Sequence, residues 1–343
     1  MEACHSPQQS NVTSYGTTIL AIISLETFAG VWINAFIVCV LCIGWVKKKT
    51  LNSNEKILLL LGCSRFWHLC FSWVYCSFSI TYPNYLYVQP TFQLIVFFQS
   101  FFNCSNLWVS ASCLCFFYCI KIANFRNSFF NYLKVQIDRM VPWLLLASVL
   151  SALAIGIVAF DMADGELSYS QNSTGQGHVS KQSGHMDENF FQTYFIYGFG
   201  FVTSFTAVIC SALLLLFSLW RHKSKMKKNS MNSISMDAHI RAMKSVLSFL
   251  ITYSINFIFL ILTLIPSTKE ENHVVFLSLL YLYAFPGVHS LLLIFSSPKM
   301  EKALLIWLLS CHQVYLFRFT FLSAVSLFFA ILSLVTLGGV AVP

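Results

Sequence analysis

The sequence predicts an all-α membrane protein, a bundle of seven transmembrane helices with its N-terminus extracellular. Three observations carry that reading. Hydrophobic residues make up 57% of the 343 residues and charged residues only 10%, with a mean hydropathy of +0.69, which excludes an ordinary soluble domain. Apolar runs of roughly 20 residues, each able to cross about 30 Å of hydrocarbon, recur along the chain. The basic residues gather at alternate ends of those runs.

The spans fall at about 18–45, 56–80, 90–121, 139–160, 192–220, 241–266 and 273–297. Connections are short except 161–191 and 221–240. With the N-terminus outside, the inner ends hold 17 of the 21 Lys and Arg residues, among them Lys47, Lys48, Lys49, Lys121, Arg126, Arg221, Lys225 and Lys299. The outer loops hold Lys181 and Lys269 against eight acids. Lys and Arg near span ends set orientation, so this asymmetry fixes the topology. Two sequons then lie outside, Asn11-Val12-Thr13 and Asn172-Ser173-Thr174, and both are expected to be glycosylated. A third, at Asn103, lies within a span and is expected to stay unmodified.

Twelve cysteines suggest a disulfide framework until they are placed. Nine of them, such as Cys63 and Cys119, fall inside apolar spans, where thiols act as small hydrophobes. No spacing suits a metal. Trp45, Trp143, Trp220 and Trp307 lie near inner boundaries and read as an aromatic belt. Trp32, Trp67, Trp73 and Trp108 lie inside spans, where pocket lining and bundle packing both remain open.

Arg65 is the costliest residue. It sits about nine residues into the second span, roughly 13 Å from the inner boundary. A charge at that depth costs at least ~3 kcal/mol unless the bundle supplies polar partners. Asn34 in the first span and Ser290 in the seventh lie at matching depths, so a structural network of Arg65, Asn34 and Ser290 is expected.

These residues also carry a resemblance. The first span reads Glu26, Gly30, Asn34, Phe36, Ile37 and then Trp45-Val46-Lys47. The second holds Ser64-Arg65, and the third ends Phe117-Tyr118 and Lys121-Ile122-Ala123-Asn124-Phe125. The fifth closes with Phe217-Ser218-Leu219-Trp220-Arg221-His222. The sixth opens with Ala238-His239 and continues through Lys244-Ser245, Ser248-Phe249 and Tyr253; the seventh carries Pro286, His289-Ser290 and Pro298-Lys299. In order and spacing, from about residue 18 to 310, the chain resembles the bitter taste receptors, the type 2 taste receptor family of G-protein-coupled receptors.

The resemblance implies a plasma-membrane receptor that detects bitter small molecules and signals through a gustducin-type heterotrimeric G protein. It implies a ligand cavity among the outer halves of the spans, to which Trp73, Tyr75, Asn103, Asn106, Trp108 and Ser112 are assigned. It places Tyr118, Lys121, His222, Lys225 and His239 at the inner contact with the G protein, with Tyr118 and Lys121 also meeting the fifth span. Beyond agonist, G protein and bilayer no partner is implied, and no cofactor, metal or nucleic acid. As in that family, the loop 161–191 has no cysteine to pair with the third span. A proline usual midway along the fifth span is replaced near Ser204. Trp108 precedes Tyr118 by ten residues where the family's tryptophan precedes it by nine, a rotation of about 100° that would turn Val109 toward the ligand.

A transporter is the alternative, but neither half resembles the other, and apart from Arg65 and Glu26 the spans lack ionisable groups of the kind a transport path uses. No nucleophile, metal-binding or phosphate-loop motif points to an enzyme. Residues 1–310 form the receptor bundle, closed by a short helix from Lys299. The tail 311–343 is atypical: its apolar run 319–342 reads either as an eighth span or as the product of an alternative frame, exon or gene-model error.

Overall fold

The computed structural model describes residues 14–81, 90–109, 116–122, 128–173, 198, 200, 202–221, 233–264 and 273–310. Nearly all of these residues are helical, and no strand occurs among them. The helices are α1 Ser14–Lys48, α2 Ser53–Thr81, α3 Pro90–Trp108, α4 Phe116–Ile122 and α5 Ser128–Ser173. They continue with α6 Val202–Arg221, α7 Ser233–Leu264, α8 His273–Ser296 and α9 Pro298–Ser310. In lipid a helix satisfies its own backbone, so apolar runs of this length have little other choice. Five of the helices are long and apolar enough to cross a membrane, and Leu247–Leu262 of α7 is a shorter apolar stretch. The described parts of the third span are α3 and α4.

Helix ends follow local chemistry. Lys49 adopts a left-handed φ of 56° and its N–H reaches the Trp45 carbonyl at 2.7 Å, ending α1. Asn52 caps α2: its carbonyl accepts from Lys56 N–H at 3.0 Å while Glu55 Oε2 accepts from Asn52 N–H at 3.1 Å. Ser297 and Pro298 open α9, with Glu301 N–H donating to the Ser297 carbonyl at 2.9 Å.

Two spans extend further than their apolar cores. α5 runs unbroken through Ser173, so Asn172 lies in a helix's last turn rather than in a free loop. α7 begins at Ser233, which puts His239 on a helix two turns before the apolar core of the sixth span. Polar surfaces leave a helix intact outside the hydrocarbon, where water satisfies what lipid does not. Pro142 sits inside α5, where it removes one backbone bond without breaking the helix.

α1 packs on α2 and α8, α2 on α3, α3 on α5, and α7 on α8. The largest core cluster lies toward the lysine-rich end, joining Ile37 and Leu41 of α1, Ile57 and Leu61 of α2, Phe117 and Ile120 of α4, Ile137 and Val141 of α5, and Ile294 of α8. A second cluster, Val208, Tyr253, Tyr281 and Phe285, joins α6, α7 and α8. α1 and α8 touch almost backbone to backbone: a Cβ placed on Gly287 would stand 3.1 Å from Gly30 Cα. Small residues at such a crossing let helices approach where lipid supplies no hydrophobic drive. Trp32, Trp45, Trp67, Trp143 and Trp220 are exposed on the bundle surface, while Trp307 packs on Phe36. Among the described residues, Trp32 and Trp67 thus present about half of their surface outward.

Candidate functional site

The guanidinium of Arg65 is fully buried and forms the polar centre of the bundle. Its Nε donates to Asn106 Oδ1 of α3 at 2.9 Å, and Nη1 donates to Ser290 Oγ of α8 at 2.8 Å. Nη2 donates to His289 Nδ1. Ser290 Oγ passes the chain on to Asn34 Oδ1 at 2.7 Å, and Asn34 Nδ2 donates to the Gly30 carbonyl of its own helix at 2.8 Å. Three helices thus meet on one side chain, and α1 joins them through Ser290. A planar, multi-donor guanidinium suits this place because its fork can address several acceptors in fixed directions at once. The acceptors are neutral, so the charge is spread over oriented dipoles.

His289 had only motif status in the sequence. Since Arg65 can only donate, His289 Nδ1 accepts and Nε2 carries the proton. The ring packs on Phe249 of α7 at 4.7 Å between centroids and on Phe285 at 5.6 Å. Tyr253 of α7 lies within electrostatic reach of Arg65 and joins the same aromatic layer through Phe285. The knot therefore borders α7 as well. A ring-bearing residue next to Ser290 in a span was the available signal for His289.

The residues assigned to the ligand cavity separate. Asn106 is 5% exposed and its side-chain oxygen is held by Arg65, which makes it part of the knot. Trp73 turns to α1: its Nε1 donates to Ser24 Oγ at 2.8 Å and its ring meets Phe28 at 5.6 Å. Tyr75 rests on Phe92 between α2 and α3 at 6.3 Å. Asn103 is half-buried on α3. Trp108 is half-buried and hydrogen bonds to Cys104 one turn back. Val109 is fully buried in the core cluster toward the lysine-rich end, so the ten-residue offset does not turn it to a ligand. Ser112 lies outside the described residues.

Between α2 and α3 a ladder of rings fills the seam. Phe71 stacks on Phe98 at 5.0 Å and on Phe102 at 5.8 Å, and Trp67 stacks on Phe102 at 6.2 Å. On the α5 side, Gly156 leaves room for Phe97 and Phe101, whose atoms a Cβ there would meet at 3.1 and 3.2 Å.

At the lysine-rich end the α1–α2 turn is a hub. Tyr118 Oη donates to Asn54 Oδ1 at 3.0 Å, so the hydroxyl expected toward the fifth span is bonded to α2. Lys121 Nζ bonds both oxygens of Asp138 at 2.9 Å. Lys299 of α9 pairs with Glu55. The hydrogen bonds from Lys121 and from Ser53 hold the Asp138 carboxyl below its usual range. Burial pushes Glu55 up, but the Lys299 and Asn52 hydrogen bonds and the charges of Lys299 and Lys48 outweigh it, and the carboxyl sits low. Both acids stay ionised at neutral pH and keep their lysines. His222, Lys225 and Asn11 lie outside the described residues; His239 and Asn172 are placed by backbone alone.

The described helices form an apolar bundle in which α2, α3 and α8 meet on one buried arginine and α1 joins them through Ser290. The comparisons narrow the class. The family described as Taste receptor protein (TAS2R) matches residues 12–312. Taste receptor type 2 member 7 of Macaca mulatta is 31% identical over 299 residues, 84% of this chain and 91% of its own length. Taste receptor type 2 member 9 of Homo sapiens is 30% identical, covering 83% and 91%, and member 2 of Homo sapiens 29%, covering 83% and 93%. The chain belongs to the taste receptor type 2 family, the bitter-taste branch of the G-protein-coupled receptors. The family is one of receptors, and nothing in the matches supports a transporter.

Proposed function

We propose that this receptor sits in the plasma membrane with its N-terminus outside, binds bitter small molecules between the outer halves of its spans, and activates a gustducin-type G protein. The observation that carries this reading is the Arg65 knot. It lies between the aromatic outer half of α2 and α3 and the packed core at the lysine-rich end, where an agonist and a G protein would each bias one shared arrangement of helices. Tyr75, Asn103, Trp108 and Ser112 remain the candidates for direct agonist contact, within a cavity of the mixed aromatic and polar kind that small ligands occupy. Trp73 and Asn106 act on that cavity through the helices they fasten.

Coupling to the G protein is assigned to Tyr118, Lys121, His222, Lys225 and His239. The basic segment 221–228 follows the fifth span in sequence and carries five positive charges. Reversing one charge, Lys225→Glu, should reduce G-protein activation several-fold while agonist binding is unchanged; equal activation by the variant removes Lys225 from the interface.

The test of function is calcium release, in cells supplied with a gustducin-type G protein, on exposure to a panel of bitter compounds. At least one compound should evoke a concentration-dependent response that mock-transfected cells lack. Silence across the panel, from receptor shown to be at the surface, contradicts the reading. The same assay on the chain ended after Cys311 measures what the tail 312–343 does.

A further inference from the structure

Glu26 of α1 takes no part in the knot or in the proposed agonist and G-protein sites. It is 8% exposed, and neither of its carboxylate oxygens has a hydrogen-bond partner among the described residues. Thr27, 2% exposed, leaves its Oγ1 unpartnered as well. Neither ion pair found among the described residues involves Glu26. The surrounding seam is closed on both sides. One turn further along α1, Gly30 meets Leu69 of α2 and Gly287 of α8. Toward the helix start, Trp73 Nε1 is bonded to Ser24. Two titratable side chains of the facing helices, Cys76 of α2 and Tyr283 of α8, bond to each other, and Tyr283 Oη also donates to the Ser72 carbonyl at 2.9 Å. Neither brings a positive charge.

A bare carboxylate is not a stable occupant of such a seam, because burying an ionised carboxyl without a partner costs far more than burying a neutral one. Orphaned buried oxygens call for an ion, a water or a proton, and an ionisable residue inside the membrane is a functional group by default. We infer that Glu26 and Thr27 form a binding site for one small monovalent cation, a proton or an alkali ion. The cation neutralises the carboxylate one helical turn from the α1–α8 crossing. A proton resides on a carboxylate oxygen. An alkali ion is held by the carboxylate and Thr27 Oγ1, with water completing its shell. Occupancy then decides whether α1 can lie against α2 and α8, which ties the site to the helix positions that the Arg65 knot fixes.

The experiment uses purified full-length receptor, and the unsubstituted protein is read first. Melting temperature is compared in sodium chloride and in N-methyl-D-glucamine chloride at fixed pH, and infrared spectra are recorded for the carbonyl band of a protonated carboxyl. A sodium-dependent rise in melting temperature that Glu26→Gln abolishes and Thr27→Val weakens identifies an alkali ion. A protonated-carboxyl band that disappears in Glu26→Gln, with no sodium dependence, identifies a proton. If Glu26→Gln does not fold, Glu26→Asp displaces the carboxyl by one methylene and should shift the band or weaken the sodium response. The inference is overturned if the unsubstituted receptor shows neither signal, or if the signals persist unchanged when Glu26 is replaced.

Discussion

Replacing Arg65 with alanine is expected to remove the receptor from the cell surface and abolish its response to agonist. The substitution strands Asn106 Oδ1 and His289 Nδ1 in a buried site, at about 1–3 kcal/mol for each unsatisfied group. It also empties the space of the largest fully buried side chain in the described bundle. Ser290 keeps its bond to Asn34, so the α1–α8 contact persists while α2 and α3 come loose from it. Lysine is expected to restore only part of the function, since its ammonium is a point charge on a flexible stem and lacks the planar fork. Surface labelling and agonist dose–response curves check this. An alanine variant with normal surface level and potency would show that the knot does no structural work.

The second large effect is expected at the α1–α8 crossing. Gly287→Ala sets a methyl 3.1 Å from Gly30 Cα, and a backbone atom gives way only if the helices separate. Overpacking of this kind costs about 1–3 kcal/mol. The Ser290–Asn34 bond, near the same crossing, lengthens with the separation. Gly30→Ala has a different neighbour. Its Cβ would stand 2.8 Å from Leu69 Cδ1, the end of a rotatable side chain, and 3.7 Å from Gly287 Cα. Gly287→Ala should therefore lower surface level and maximal response more than Gly30→Ala. Equal or reversed losses would mean that the crossing is looser than its geometry indicates.

What could be read beforehand followed from cost. A charge in an apolar span has few affordable partners, and depth alone pointed from Arg65 to Asn34 and Ser290, which the structure brings together. The same reasoning was blind to rotation about the helix axis. Asn106 is a neutral amide among aromatics, and composition gives no reason to turn it to Arg65 rather than to a cavity. Trp73 reads as a pocket aromatic until Ser24 of α1 offers its hydroxyl. Loop boundaries were set by polarity, yet α5 continues to Ser173 because leaving the hydrocarbon removes the need for apolar residues without removing the helix. His289 escaped because its tautomer and its place against Phe249 exist only once the helices are packed.

The central claim is that Arg65 and its acceptors act as one unit, and a double-mutant cycle tests it most directly. Arg65→Gln and Asn106→Ala are made singly and together, and the melting temperature of each purified receptor is measured. Residues in one network couple by about 0.5–3 kcal/mol. The account predicts that the double variant is hardly less stable than Arg65→Gln alone. Losses that simply add would contradict it.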